Sequence, residues 1–135
     1  MKSQTKNFKK KIEKAKSILL LTHKGPDLDA FCSMLATYGF LKENFPKKEI
    51  LLLAKQQPTI NIPLMKDITV VEKIENLEVD LVIVTDASNL SLCLEEGVDS
   101  FESSNVVYID HHNIEVEQQT IFTINEYRSS ATEQV

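Results

Sequence analysis

The sequence predicts a doubly wound α/β domain, with a mainly parallel sheet and helices on both faces. Short, continuously apolar runs such as SILLLT (17–22) and VDLVIVTD (79–86) have the length of strands buried on both faces, and the second is rich in β-branched residues. These runs alternate with segments of helical periodicity, which is typical of a parallel sheet with crossover helices.

The first half of the chain contains two predicted helices and two predicted strands. Residues 4–16 form an amphipathic helix with lysines over its polar face, and the strand 17–22 follows. The apolar stripe of a second helix runs from about residue 30 to 45, and Pro46 stops it. The run EILLLA (49–54) is then the second strand.

The second half is less regular. QQPTINIPLMK carries two prolines and is predicted to be a loop with at most one helical turn, whereas TVVEKI is ambiguous. The remaining predicted elements are the strand VDLVIVTD (79–86), a short helix over 89–96 that ends at Gly97, and the strands NVVYID (105–110) and TIFTIN (120–125).

Composition indicates one domain of an ordinary soluble protein. The 135 residues are 42% hydrophobic and 26% charged, as in ordinary globular proteins. Because the net charge is -5, the chain has no overall positive charge with which to bind nucleic acid non-specifically. The two cysteines do not make a disulfide framework, and the basic start lacks the apolar core of a signal peptide. No apolar run is long enough for a membrane span, so a cytoplasmic location is expected.

The last seven residues, SSATEQV, match a capping box with Ser130 as N-cap and Glu133 three residues later. This pattern predicts that a helix begins there, yet five residues are too few for a stable helix. We therefore expect the chain to be part of a longer protein, or to depend on a further element.

Three of the predicted strands run directly into side chains that bind metals. In an open parallel sheet, ligands bind beyond the carboxyl ends of the strands, so these side chains should converge at one edge. Each motif alone could be a turn, a helix cap or a solvated strand end, but their coincidence favours a shared site. The residues are His23, Asp27 and Asp29, then Asp86, then Asp110, His111 and His112.

Four carboxylates at one edge would raise one another's pKa unless cations neutralise them. Two divalent cations suit this charge better than one. Carboxylates with imidazoles and no thiolate favour a hard to borderline metal, Mn²⁺ in particular, with Mg²⁺ as a possibility. A pair of such ions clamps the oxygens of a phosphoryl displacement and lowers the pKa of a bound water.

The motifs resemble those of the DHH phosphoesterase superfamily. HKGPDLDAFCS is similar to its first motif, VTDAS to its second, and DHH to the third, from which the family is named. SSATEQV resembles the segment that follows in the branch of nano-RNases and cyclic-dinucleotide phosphodiesterases. The resemblance covers residues 17–135 and implies a Rossmann-like, N-terminal DHH domain.

The resemblance also implies a metal ligand set. By it, His23 and Asp27 would bind the first Mn²⁺, Asp29 and His111 would bind the second, and Asp86 would bridge both. This sequence departs from the family pattern at Leu28, a position that is often glycine in the nuclease branch. A further metal-binding aspartate and a second, glycine-rich substrate-binding domain follow later in the family. The chain of 135 residues should therefore hold only the DHH domain, bind metal weakly and be inactive or poorly active alone.

Two further residues are candidate catalytic groups by the same resemblance. Asp110 would lie behind the metals and orient the site, and His112 would face the substrate phosphate. His112 could then donate a hydrogen bond or a proton to the phosphoryl oxygens.

The function expected is a metal-dependent phosphoesterase that hydrolyses short oligonucleotides or cyclic dinucleotides through a two-metal-activated water. Another phosphorylated small molecule remains open as substrate, and a homodimer is possible. One alternative is a manganese inorganic pyrophosphatase of the family II type, which shares the first and third motifs. The other is a non-catalytic module that binds a metal or nucleotide.

Overall fold

The computed structural model describes residues 2–56, 66–71, 74, 77–96, 101–112, 122–124 and 128–135. Two α-helices, α1 (Lys2–Lys14) and α2 (Leu28–Asn44), precede most of the sheet. Short 3₁₀ helices cover Leu90–Leu92, Ser103–Asn105 and Thr132–Gln134. The strands are β1 (Ser17–Thr22), β2 (Glu49–Ala54), β3 (Ile68–Val70), β4 (Leu81–Thr85), β5 (Val106–Ile109) and β6 (Phe122–Ile124).

The six strands form one sheet in the order β3-β2-β1-β4-β5-β6, and every pair is parallel. The predicted parallel α/β fold is confirmed. Strands β1 and β4 are buried almost end to end, as expected for strands covered on both faces. The central strands β1, β4 and β5 each have a neighbour on both sides.

Both α-helices pack on the same face of the sheet. Ile12 of α1 and Met34 and Leu41 of α2 join the alternate strand residues that include Ile18 and Ile83 in one buried cluster. The opposite face packs a second cluster, which the 3₁₀ helix Leu90–Leu92 and neighbouring segments cover in the part of the chain that the structure describes. The sheet is therefore covered by packed side chains on both faces in the described part of the chain.

The start of β1 is fastened to the start of β4. The Asp80 carboxylate accepts backbone hydrogen bonds from Lys16 at 2.7 Å and from Ser17 at 3.2 Å. In return, the Ser17 hydroxyl oxygen accepts from the Asp80 backbone N–H at 3.1 Å. These backbone hydrogen bonds hold the pKa of Asp80 below its usual value.

Some predicted bounds differ from the structure. Helix α2 begins at Leu28, two residues earlier than predicted, because the Asp27 side chain caps it by accepting from the Ala30 N–H at 3.0 Å. The predicted short helix over 89–96 is reduced to the 3₁₀ helix Leu90–Leu92 among the described residues. The first residues of TVVEKI form the end of the short strand β3. Most of the predicted proline loop lies outside the described residues, and so does Gly97, the predicted end of the short helix.

The predicted capping box at the end of the chain forms only in part. Ala131, and not Ser130, is the N-cap of Thr132–Gln134, and it makes no side-chain cap hydrogen bond. The Ser130 hydroxyl nevertheless accepts from the Glu133 N–H at 3.4 Å, and the Glu133 carboxylate accepts from the Ser129 N–H at 3.1 Å.

Candidate metal centre

The last residues of three adjacent strands lie side by side in register. Thr22 of β1 pairs with Thr85 of β4, which in turn pairs with Ile109 of β5. The residues that follow them, including His23 and Asp86, therefore leave the sheet at the same level. This register brings motifs that are far apart in sequence to one edge, as expected for parallel strands.

Two hydrogen bonds, one in each direction, join β1 to β4 just below this edge. The Thr22 hydroxyl donates to the Thr85 carbonyl oxygen at 3.0 Å, and the Thr85 hydroxyl donates to the Leu21 carbonyl oxygen at 3.3 Å. Both threonines are buried. Sequence reasoning missed their role, although each strand visibly ends in threonine before the predicted ligand.

Asp86 occupies the centre of the site. It is 4% exposed and has a φ of 58°, the left-handed conformation that aspartate tolerates better than most residues. Its backbone N–H donates to the Ile109 carbonyl oxygen at 2.8 Å, which ties the end of β4 to the end of β5. The chain thus turns sharply at Asp86, where the carboxylate is buried.

Three histidines surround the Asp86 carboxylate. His23 Nε2 lies 3.6 Å from Asp86 Oδ2. His111 Nε2 lies 3.4 Å and His112 Nδ1 3.7 Å from Asp86 Oδ1. The Asp86 Oδ1 atom is buried and accepts no hydrogen bond from any residue that the structure describes.

Asp110 orients the two histidines that follow it. It is 1% exposed, and its Oδ1 atom accepts from the His112 ring Nδ1 at 2.7 Å. The same oxygen accepts from the backbone N–H groups of His111 at 2.9 Å and His112 at 3.3 Å. Because its Nδ1 proton is directed at Asp110, the ring of His112 has a fixed orientation.

His111 is held by a backbone carbonyl. Its Nδ1 lies 3.3 Å from the Arg128 carbonyl oxygen, which can only accept, so Nδ1 carries the proton. In the neutral ring, Nε2 then presents a lone pair to Asp86 and to Asp29 Oδ2, which lies 3.6 Å away. Such an arrangement of electron-rich atoms is repulsive unless a cation or a proton lies among them.

Asp29 is bound by residues near the end of the described chain. Its Oδ2 atom accepts from the Ala131 N–H at 2.7 Å. Its Oδ1 atom accepts from the Thr132 hydroxyl at 2.6 Å and the Thr132 N–H at 3.2 Å. Sequence reasoning treated these residues as the start of a helix and did not foresee that they bind Asp29.

The pKa values of the titratable groups in the site are shifted in different directions. Burial, followed by the charges of Asp29 and Asp27, raises the pKa of Asp86, and the nearby His112 and His23 oppose this only in part. Burial also acts to raise the pKa of Asp29, but the hydrogen bonds from Thr132 and Ala131 outweigh it, so that this pKa is lowered. The hydrogen bond to Asp110 raises the pKa of His112.

The described residues contain two groups that could hold a metal ion, and both include Asp86. His23, Asp27 and Asp86 offer ligand atoms that all lie within 4.8 Å of one another, as do Asp86, His111 and His112. The shared carboxylate, its buried Oδ1 and the lone pair of His111 fit a pair of divalent cations. The structure thus brings all the predicted site residues together, while their individual roles remain predictions.

No helix in the described part of the chain has the length and apolar character needed to cross a membrane.

The sequence profile of the DHH family, N-terminal domain, matches residues 17–135. No curated protein sequence matches the chain. Among solved structures, an exopolyphosphatase-related protein from Bacteroides fragilis is similar, with a TM-score of 0.82 and 25% sequence identity. The similarity covers 98% of this chain and 42% of that protein, so this chain spans less than half of its length.

Proposed function

Since this chain belongs to the DHH family of phosphoesterases, whose N-terminal domain it carries, we propose that it is the metal-binding part of a manganese-dependent phosphodiesterase. The proposed substrates are short oligonucleotides or cyclic dinucleotides. The observation that carries this proposal is the position of Asp86, a buried carboxylate common to both groups that could hold a metal ion.

The residues divide between two ions. By the family resemblance, His23 and Asp27 would hold the first, Asp29 and His111 would hold the second, and Asp86 would contribute to both. When bound, two divalent cations offset the charge of the carboxylates, act as Lewis acids on phosphoryl oxygens and lower the pKa of a bound water. The hydrogen bond from His111 Nδ1 to the Arg128 carbonyl oxygen supports this, because metal-binding histidines usually donate their other ring N–H to such a group.

His112 acts on the substrate. Its Nδ1–H is held by Asp110 at 2.7 Å, and its side chain is half exposed, so the ring reaches solvent in a fixed orientation. In the metal-free protein, the hydrogen bond to Asp110 raises the pKa of His112, which favours the protonated ring. Its Nε2–H then donates a hydrogen bond to a phosphoryl oxygen and stabilises charge that develops in the transition state.

Hydrolysis of a phosphoanhydride is the second candidate. The neighbour from Bacteroides fragilis is described as exopolyphosphatase-related, and it is 25% identical over 98% of this chain. The same ligand groups could neutralise a polyphosphate or pyrophosphate chain.

The test compares substrates under matched conditions. A 5′-phosphorylated dinucleotide, a cyclic dinucleotide, pyrophosphate and tripolyphosphate are each incubated, in Mn²⁺ or in EDTA, with the protein extended through the second domain that the resemblance implies. We expect Mn²⁺-dependent cleavage of the nucleotide phosphodiesters, abolished by Asp86→Asn and retained by the control Asp80→Asn, which lies at the opposite end of β4.

Other outcomes separate the alternatives. Cleavage of pyrophosphate or tripolyphosphate in preference to the nucleotides would establish the second candidate. Mn²⁺ binding by calorimetry without any hydrolysis would favour a non-catalytic module, and a protein that neither binds Mn²⁺ nor cleaves any of these compounds would refute the proposal.

A further inference from the structure

The segment over residues 128–132 contacts two proposed metal ligands that belong to different elements. Asp29 lies in the first turn of α2, and His111 follows β5. The segment provides three donors to Asp29 and one carbonyl acceptor to His111. From Asp29 to Ala131 the separation along the chain is 102 residues, so these contacts depend on the tertiary fold.

Burial of one residue and hydrogen bonds near the segment hold its conformation. The Ala131 side chain is completely buried, which fixes the middle of the segment against the domain. The Glu133 carboxylate accepts from the Ser129 N–H at 3.1 Å, and the Ser130 hydroxyl accepts from the Glu133 N–H at 3.4 Å. The segment is therefore held in shape by contacts other than those to the ligands.

Each of the two contacts sets the orientation of one ligand. Hydrogen bonds to both carboxylate oxygens limit rotation of the Asp29 side chain, and Oδ2, which accepts one of these bonds, retains a lone pair for a further partner. The Arg128 carbonyl fixes the His111 tautomer, so the lone pair is on Nε2, the atom that lies 3.6 Å from Asp29 Oδ2. The segment thus determines how the two side chains face each other.

We propose that the 128–132 segment is an outer support of the second metal position, and that Thr132 is a positioning residue for Asp29. This proposal rests on the proposed function, because it assigns Asp29 and His111 to that metal. The Thr132 hydroxyl, at 2.6 Å from Asp29 Oδ1, is the one side-chain donor among the three donors. It can therefore be removed without altering the backbone.

The first experiment measures Mn²⁺ affinity by isothermal titration calorimetry. Thr132→Val keeps the shape of the side chain and removes the donor, and Thr132→Ser restores it. Because loss of such an outer partner typically weakens metal binding 10- to 100-fold, we expect a rise in Kd of about tenfold or more for the valine variant. The serine variant should stay within about threefold of the wild-type value, since its hydroxyl can make the same bond.

Thr69→Val is the matched control. Thr69 is exposed on β3, the edge strand on the far side of β2, and the same substitution there should leave the Kd unchanged. Circular dichroism confirms that each variant is folded. A folded Thr132→Val protein that binds Mn²⁺ within about twofold of the wild type would overturn the proposal.

A second experiment needs no metal. Hydrogen exchange of the Ala131 and Thr132 amides is compared in EDTA between the wild type and Asp29→Asn, which weakens the acceptor. We expect exchange at both amides to become at least about tenfold faster, because charge-assisted hydrogen bonds are the stronger ones. Equal exchange rates would show that the segment does not hold Asp29.

The two experiments separate this proposal from the proposed function. If the wild type binds no Mn²⁺, the proposed function fails, and with it the role assigned to the segment, whatever the exchange rates show. If the wild type binds Mn²⁺ while Thr132→Val binds equally well, only the positioning role is refuted.

Discussion

Replacing Asp86 by asparagine should stabilise the metal-free protein while removing most of its response to Mn²⁺. The Asp86 carboxylate is 4% exposed, close to Asp27 and Asp29, and one of its oxygens accepts no hydrogen bond within the described residues. Asparagine also tolerates the left-handed conformation, and its amide N–H can donate to the lone pair of His111 Nε2.

The magnitude follows from burial. An unsatisfied buried polar group costs about 1–3 kcal/mol, and somewhat more when it is charged. In a domain of this size, about 1 kcal/mol corresponds to about 4 °C in Tm. We therefore expect Asp86→Asn to raise the Tm in EDTA at pH 8 by about 4–12 °C.

Mn²⁺ should raise the Tm of Asp86→Asn much less than that of the wild type. At a Mn²⁺ concentration about 100 times the Kd, binding stabilises the folded wild type by about 2.7 kcal/mol, or roughly 10 °C. Asp86→Asn should lose most of this increase, because the substituted side chain belongs to both ligand groups.

Differential scanning calorimetry with EDTA or Mn²⁺ measures both effects. Asp80→Asn is the control for the same chemical change away from the site, and it should retain the full response to Mn²⁺. The reasoning is refuted if Asp86→Asn lowers the Tm in EDTA, or if its Tm rises with Mn²⁺ as much as that of the wild type.

Three further predictions concern titratable groups. The folded-state pKa of Asp80 is lowered, so its stabilising contribution is present above the unfolded value of about 3.8 and is lost as pH falls through the folded pKa. Asp80→Asn should therefore be less stable than the wild type in urea at pH 7, and this difference should disappear at strongly acidic pH; a constant difference would contradict it. Burial raises the pKa of Cys93 to about 12, so under native conditions its thiol should react with a disulfide reagent far more slowly than that of the partly exposed Cys32, with equal rates in denaturant. Asp110→Asn should lower the pKa of His112, observed by NMR titration of the metal-free protein, and an unchanged value would exclude Asp110 as its main cause.

The central strands were predictable because burial on both faces leaves a strong sequence signal. The predicted bounds 17–22 and 49–54 agree with β1 and β2 at every residue. The strand β3 was ambiguous because it lies at the sheet edge, where Ile68 is buried but Thr69 and Val70 are exposed. An edge strand that is half exposed has no continuous apolar run to identify it.

The convergence of the site residues was also predictable, because it follows from the parallel sheet. The side chains that support them were not. The left-handed turn at Asp86 has no glycine to mark it, and the hydrogen bonds from Thr132 to Asp29 join positions 103 residues apart. Contacts of this kind depend on how loops pack on the finished sheet.

The strands that end at the site are all interior strands of the sheet, and this divides the domain into a rigid part and a replaceable part. β1, β4 and β5 are each hydrogen-bonded on both sides, so they can separate only when the sheet itself opens. The spacing of His23, Asp86 and Asp110 is therefore isolated from changes at the margin. Substitutions on β3 can alter overall stability, solubility or surface contacts without moving these side chains, so the edge can be redesigned while the arrangement of the site is kept.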